Sequence, residues 1–244
     1  MELTYQNTYY QLPFYSTNTP IVSDSKEIIR TYSEFEFNSN GIKKKVATDP
    51  IKDRNDLESI KSYFLAQNRY RDYAIFVLGI NTALRCSDIL ALNIHNVVTD
   101  DGYIVDRTKI KEKKTGNIKE LVFNQAAKEA LYLYLEDLGK VSQYYLQPDQ
   151  PLFRSQKISK LTNEYRLTPK SYYDIQQKVK AELNLSENIG THTMRKTFGY
   201  NYFKLTKNME LTSKAIGHKS VATTMAYIGI TNEEINNAIL ELNL

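Results

Sequence analysis

Apolar positions set most of the elements. Leu57, Ile60 and Phe64 recur at helical spacing, which predicts a helix over 55–67. Asn55 and Glu58 stand at capping-box distance at its start, with Asn in place of the usual Ser or Thr. Tyr73, Phe76, Val77 and Ile80 predict a second, strongly apolar helix over 69–82, and Ser87 caps a short third one through Leu92. The period then changes. His95–Val98 and Tyr103–Val105 are predicted as short strands around an Asp100-Asp101-Gly102 turn. Thr108–Lys113 and Asn117–Phe123 are predicted as a hairpin closed by Lys114-Thr115-Gly116. Helical spacing returns from Gln125 to Leu138, with Asn124 as cap and Gly139 as the stop. Thr168 followed by Pro169 opens a helix to about Leu183, and Thr191 caps another to about Leu205. Two short helices follow at 211–216 and 220–228. A Thr231/Glu234 capping box opens the last helix, 232–243, whose Ile235, Ile239 and Leu242 form an apolar stripe.

The predicted class is mainly α with a small antiparallel β-sheet (α+β). The strands are too few and too clustered for a doubly wound fold. Residues 1–47 mix Ser, Thr, Asn and aromatics and end in Lys43-Lys44-Lys45, with room for a short helix around Ser25–Tyr32. That stretch is too short and polar for its own core, so it is expected to be an arm or the remnant of a second domain. Residues 48–244 are expected to form the compact domain.

Composition then narrows the chemistry. A chain of 244 residues with 41% apolar content is long enough to bury a core. No apolar run approaches the ~18 residues of a membrane span, and Met1–Gln11 lacks the layout of a signal peptide. The cell interior is the expected compartment. One cysteine excludes an intrachain disulfide framework and any multi-cysteine metal site, and three histidines argue against a His-rich one. The net charge of +4 is uneven: the first fifty residues hold five basic and six acidic side chains, so the excess lies in the remainder. Its densest patch, Arg107–Lys119, has six basic residues against one Glu. Such a patch permits a nucleic-acid partner without establishing one, and on charge alone a plain solvated surface is the favoured reading.

Three short stretches can carry chemistry. His192 and Arg195 are three apart near a helix start, where a phosphate is also favoured, although a surface pair has the same spacing. His218 follows Gly217, and Tyr227 stands nine residues on; among nineteen tyrosines it reads equally as core packing. Arg85 lies at the junction of two apolar helices, where an unpaired charge is costly, so it is either paired or functional. Asp88, one turn on, is its expected partner.

In order, spacing and local sequence, these stretches resemble the tyrosine recombinases, or phage integrase family. Thr82–Ile89 is similar to the family's Thr-Gly-Leu-Arg-x-Ser-Glu-Leu box. His192–Gly199 is similar to His-x-x-Arg-His-Thr-Phe-Ala. Ile216–Tyr227 is similar to Leu-Gly-His followed by Thr-x-x-Tyr. The separations of 23 residues from Arg195 to His218 and nine from His218 to Tyr227 match as well. Ala83 stands where the family has Gly, and Lys196 where it often has His. About 47 residues precede the expected catalytic region, where members usually carry a helical core-binding domain; residues 1–47 would be its reduced form or an arm.

The resemblance implies the tyrosine recombinase catalytic-domain fold over about 48–244 and a set of roles. Tyr227 would be the nucleophile, Arg85 and Arg195 the clamp on the scissile phosphate. His192 would be general acid/base at the tyrosine oxygen, and His218 a further donor to the phosphate. Lys114, or its neighbour Lys113, would protonate the leaving 5′-oxygen. Asp88 would orient Arg85, and Lys109, Lys111, Lys113, Lys196 and Lys219 would contact DNA. Duplex DNA would be the substrate, cut through a covalent 3′-phosphotyrosine without ATP, metal or cofactor. The protein would pair two sites as a homo-tetramer, be a monomer when free of DNA, and work in the cytoplasm at the nucleoid. A type IB topoisomerase-like activity and a silent DNA-binding regulator are the alternatives. Residue chemistry agrees with these roles, since always-charged arginines meet phosphate oxygens bidentately. A phenol of pKa ~10 needs a base or a positive field to attack at neutral pH. His95 has no place in the pattern and is expected to be structural, and Cys86 to be a small core residue. The final helix would pack in cis or on a neighbouring protomer.

Overall fold

The computed structural model describes residues 35–37, 43–45, 47–142, 147–155 and 165–242, with backbone alone at 35–37, 43–45 and 140–142. The expected helix at Ser25–Tyr32 lies outside them. In chain order the described elements are β1 (Phe35–Phe37), β2 (Lys43–Lys45), α1 (Arg54–Ala66), α2 (Tyr70–Thr82), α3 (Cys86–Ile89), β3 (Arg107–Lys111), β4 (Ile118–Val122), α4 (Gln125–Ser142), α5 (Pro169–Glu182), α6 (Thr193–Thr206), α7 (Met209–Ile216), α8 (Val221–Ile228) and α9 (Asn232–Leu240). Among the described residues, no helix is long and apolar enough to cross a membrane. They fall into two compact units.

The first unit lies within Phe64–Thr82 and Ser87–Thr168. Ala74 to Leu78 of α2 are buried without a break, so this helix is enclosed rather than merely amphipathic. It packs on α4, which buries Ala127, Ala130, Leu131, Tyr134 and Leu135. Tyr134 donates to the Leu152 carbonyl at 2.8 Å and stacks on Phe153 at 5.5 Å; burial pushes its hydroxyl up to about 12. β3 and β4 pair antiparallel, with Lys109 opposite Glu120. The two-residue period turns Ile110 and Leu121 inward and leaves Arg107, Lys109 and Lys111 exposed on the other face. The hairpin closes where Glu112 N–H donates to the Asn117 carbonyl at 2.9 Å and Gly116 takes φ +71°.

Local expectations needed correction at several places. Residues 94–96 form a short 3-10 turn rather than a strand, because Asn93 and Asn96 cap it reciprocally. Of the expected pairing of His95–Val98 with Tyr103–Val105, the described residues keep a bridge between Val98 and Ile104. Gly139 does not stop α4, which runs on to Ser142; the ~1 kcal/mol cost of a helical glycine is small beside α4's buried face. The start of α1 is capped by Asp53, whose Oδ1 accepts Asn55 N–H at 2.7 Å, not by Asn55.

The second unit lies within Thr31–Tyr63, Ala83–Cys86 and Pro169–Leu244. β1 and β2 pair antiparallel, Phe35 opposite Lys45. α6, α7 and α8 pack together over a core of Ala83, Tyr200, Ile216 and Ile228. Close approach of α6 and α8 depends on Gly199, where a Cβ would come within 2.7 Å of Ile228 Cγ2. The segment before α1 is tied to α6 by Ile51 N–H, which donates to the buried Thr197 Oγ1 at 2.9 Å.

Candidate active site

Arg85, His192, Arg195, His218 and Tyr227 all belong to the second unit. Arg85 follows Ala83, which adopts φ +55°, a left-handed conformation that favours glycine. Its methyl is buried in the core with Ile216 and Ile228, so packing holds the strained turn in place.

His192, rather than the expected Thr191, occupies the N-cap place of α6, and its side chain makes no cap bond. Its ring turns instead to the tyrosine: Nδ1 lies 3.3 Å from Tyr227 Oη, and the two rings meet edge to face. One turn in, Arg195 is 3% exposed and donates through Nη2 to the Ile216 carbonyl at the end of α7. That end is partially negative and suits a cation. Gly217 then reverses the chain at φ +68°, and His218 N–H closes back onto the Ser213 carbonyl at 2.8 Å, a Schellman pair. The spacing from Gly217 to His218 is therefore a geometric requirement.

His218 is oriented by two buried hydroxyls. Its Nδ1 lies 3.3 Å from Thr224 Oγ1, which in turn receives Ser213 Oγ–H at 2.8 Å. Its ring meets Tyr227 edge-on at 4.7 Å. Burial, with the Arg195 and Arg85 charges, holds this imidazole below its ordinary value. Burial also pushes the Tyr227 phenol above 10, while Arg195 and Arg85 pull it back through their charges and a hydrogen bond from Arg195. Two guanidiniums and two imidazoles thus converge on one half-buried phenol. The cluster is positive, and it suits an anion with oxygens facing several donors.

Lys196 makes contacts within the protein. Its ammonium donates to the Thr48 carbonyl at 2.6 Å and sits 5.2 Å from the centre of the Tyr227 ring. Burial lowers its pKa, and the Asp49 carboxylate opposes that. Lys52 was not foreseen: it donates to the Gly229 carbonyl, two residues after Tyr227, at 2.6 Å and to Glu234 at 2.9 Å. Thr224 was legible as the Thr of the Thr-x-x-Tyr box, one turn before Tyr227 on the same face; Ser213 and Lys52 carry no sequence signal.

The remaining predicted residues lie in the first unit, save Lys219, which is exposed beside His218. Lys109, Lys111, Lys113 and Lys114 are exposed on the β3–β4 hairpin. Asp88 is 2% exposed, and its Oδ1 accepts Lys113 N–H at 3.0 Å, so it ties down the turn that carries Lys114. His95 lies apart, with Nδ1 2.8 Å from the Pro148 carbonyl, and Cys86 is buried. Among the described residues, no three His, Cys, Asp or Glu side chains are placed to hold a metal ion.

The chain matches the model of the phage integrase family over residues 53–234. It is 34% identical over 184 residues to a Bacillus subtilis (strain 168) protein named "Probable integrase/recombinase YoeC", spanning 75% of this chain and 91% of that one. It is 26% identical over 159 residues to the tyrosine recombinase XerC of Thermodesulfovibrio yellowstonii, spanning 64% of this chain and about half, 49%, of that one. The fold is similar to that of the XerH site-specific recombinase in a post-cleavage complex with its palindromic difH substrate. There the TM-score is 0.59 at 20% identity, covering 83% of this chain and 58% of that one.

Proposed function

The chain belongs to the phage integrase family, and on that premise we propose that it is a site-specific DNA recombinase that cuts and rejoins duplex DNA through Tyr227. The observation that carries this is the His192 Nδ1 to Tyr227 Oη distance of 3.3 Å, inside the field that Arg195 and Arg85 exert on the same phenol.

In this reading His192 takes the phenol proton as Tyr227 Oη attacks the scissile phosphorus. The bond from phosphorus to the 5′-oxygen breaks as the 3′-phosphotyrosine forms. Lys114 gives its proton to that leaving oxygen, its turn held by the contact between Asp88 and Lys113 N–H. Arg85 and Arg195 hold the non-bridging oxygens and meet the charge gathered in the transition state. Neutral His218, kept in register by Thr224, adds a contact. Rejoining reverses each step with a 5′-hydroxyl as attacker, so bond energy is conserved and no ATP is consumed. Lys109, Lys111, Lys113 and Lys219 are read as contacts to the DNA backbone.

Strand exchange between two sites needs several protomers, and we read the assembly on paired DNA as a homo-tetramer of a protein that is monomeric without DNA. The exposure of Ile235, Ile239, Leu240 and Leu242, from 44% to 78%, supports docking of α9 on a neighbouring protomer. We place the protein inside the cell, at the nucleoid.

The test uses nicked duplexes drawn from a randomised library. Adducts are trapped in detergent, recovered with the protein and sequenced, which also reports the preferred site. Wild type is expected to form adducts and Tyr227→Phe none. Wild type that forms no adduct while still binding DNA supports the silent regulator, and adducts without sequence preference support the topoisomerase-like activity.

A further inference from the structure

Lys196 is the one predicted DNA contact in the second unit whose ammonium is occupied within the protein. Its Nζ donates to the Thr48 carbonyl at 2.6 Å, a contact spanning 148 residues of sequence, and lies 5.2 Å from the centre of the Tyr227 ring. The side chain is half-buried, unlike the exposed Lys109, Lys111, Lys113 and Lys219. A phosphate contact would require it to leave both partners.

We propose that Lys196 is a positioning residue for the nucleophile, holding the Tyr227 ring by its face and favouring the phenolate, rather than a contact to the DNA backbone. This rests on Tyr227 being the nucleophile. His192 lies near the phenol oxygen and the His218 and Tyr227 rings meet edge to face, while Lys196 brings an ammonium over the Tyr227 ring. The aromatic face is negative and attracts an ammonium within about 6 Å of the centroid. The attraction grows when the ring carries a full negative charge, so the contact favours the attacking form over the resting one. The Thr48 carbonyl makes this a fixed platform: it pins the ammonium, and its neighbour Asp49 is held by Asn188 N–H at 3.1 Å. A lysine free to rotate would lose that advantage.

The test reads the ring without DNA. Fluorotyrosine is incorporated, and the fluorine resonance absent from Tyr227→Phe is assigned to Tyr227. Lys196→Met is expected to raise the pH midpoint of that resonance, in proportion to a loss of roughly two- to thirtyfold in the phenolate equilibrium. Lys196→Cys alkylated with bromoethylamine restores an ammonium of similar reach and is expected to restore the midpoint; Cys86 is buried. In parallel, binding to a random-sequence duplex is measured against salt. Lys196→Met is expected to keep the wild-type slope. A DNA-contacting lysine would instead lower the slope by about 0.9 and leave the midpoint in place, which overturns the proposal. A midpoint raised in Lys196→Met and left raised after aminoethylation also overturns it, since the charge would then be irrelevant. Because the resonance needs no substrate, the result stands even if no duplex is ever cleaved.

Discussion

On the proposed reading Tyr227 cannot attack while its proton stays on, and burial makes that proton harder to remove. His192 is the group within reach of it. His192→Gln is therefore expected to slow adduct formation by about 10²–10⁴-fold, the usual worth of a positioned base, with DNA binding unchanged. Rapid-quench measurement on the selected site checks this. His218 sets a pH dependence of the fold itself. Its folded pKa lies below the unfolded 6.5, so the unfolded chain binds the proton more tightly. Its contribution to stability is whole above that unfolded value and is lost as pH falls through it toward the lower folded value. Thermal melting is expected to weaken on acidification below about 6.5, and His218→Gln to flatten that part of the profile.

At the scale of elements, the tyrosine's position depends on how closely α6 and α8 approach. Gly199→Ala would place a Cβ 2.7 Å from Ile228 Cγ2, next to Tyr227. Overpacking costs about 1–3 kcal/mol and the gain in helix propensity returns about 1 kcal/mol. The net expectation is a loss of about 0–2 kcal/mol in chemical denaturation, with adduct formation falling further than stability because Tyr227 is displaced. The same C-terminal end of α8 is held by Lys52. It bridges the Gly229 carbonyl and Glu234, which closes the capping box of α9. Burial raises the Glu234 carboxyl, but Lys52, Thr231 N–H and Tyr200 outweigh it and hold the group at about 2. A depressed carboxyl contributes stability that is present above its unfolded value and lost as pH falls toward about 2. Lys52→Met is expected to free α9, seen as faster proteolysis within Asn232–Leu240 at neutral pH.

On the scale of the whole molecule, charge is the property that counts. The net +4 is concentrated away from the first fifty residues, and its outward edge includes the Arg107–Lys111 face of the hairpin. Glu120, opposite Lys109, offsets part of it. DNA affinity is expected to fall steeply with salt, and removal of Lys109 and Lys111 to lower the log–log slope by about 0.9 for each phosphate that is no longer neutralised. A binding curve flat between low and physiological salt would remove DNA as the partner.

The helices could be read because their apolar spacing is local, and the hairpin because its turn residues are. The candidate residues were legible for a related reason: Arg85, His192, Arg195, His218 and Tyr227 sit in short boxes whose spacing survives in sequence. Boundaries failed where a local side chain competed, as at Asn93–Asn96, or where packing outweighed propensity, as at Gly139. What tertiary structure alone decided is which charge serves which partner. Lys196 and Thr48 meet across 148 residues, Lys52 and Gly229 across 177, and no period in the chain encodes such meetings. A lysine in a sequence is a charge with a long reach. Only the folded chain, by offering a carbonyl and a ring, determined that one lysine would turn inward to Thr48 and Tyr227 while others stayed at the surface.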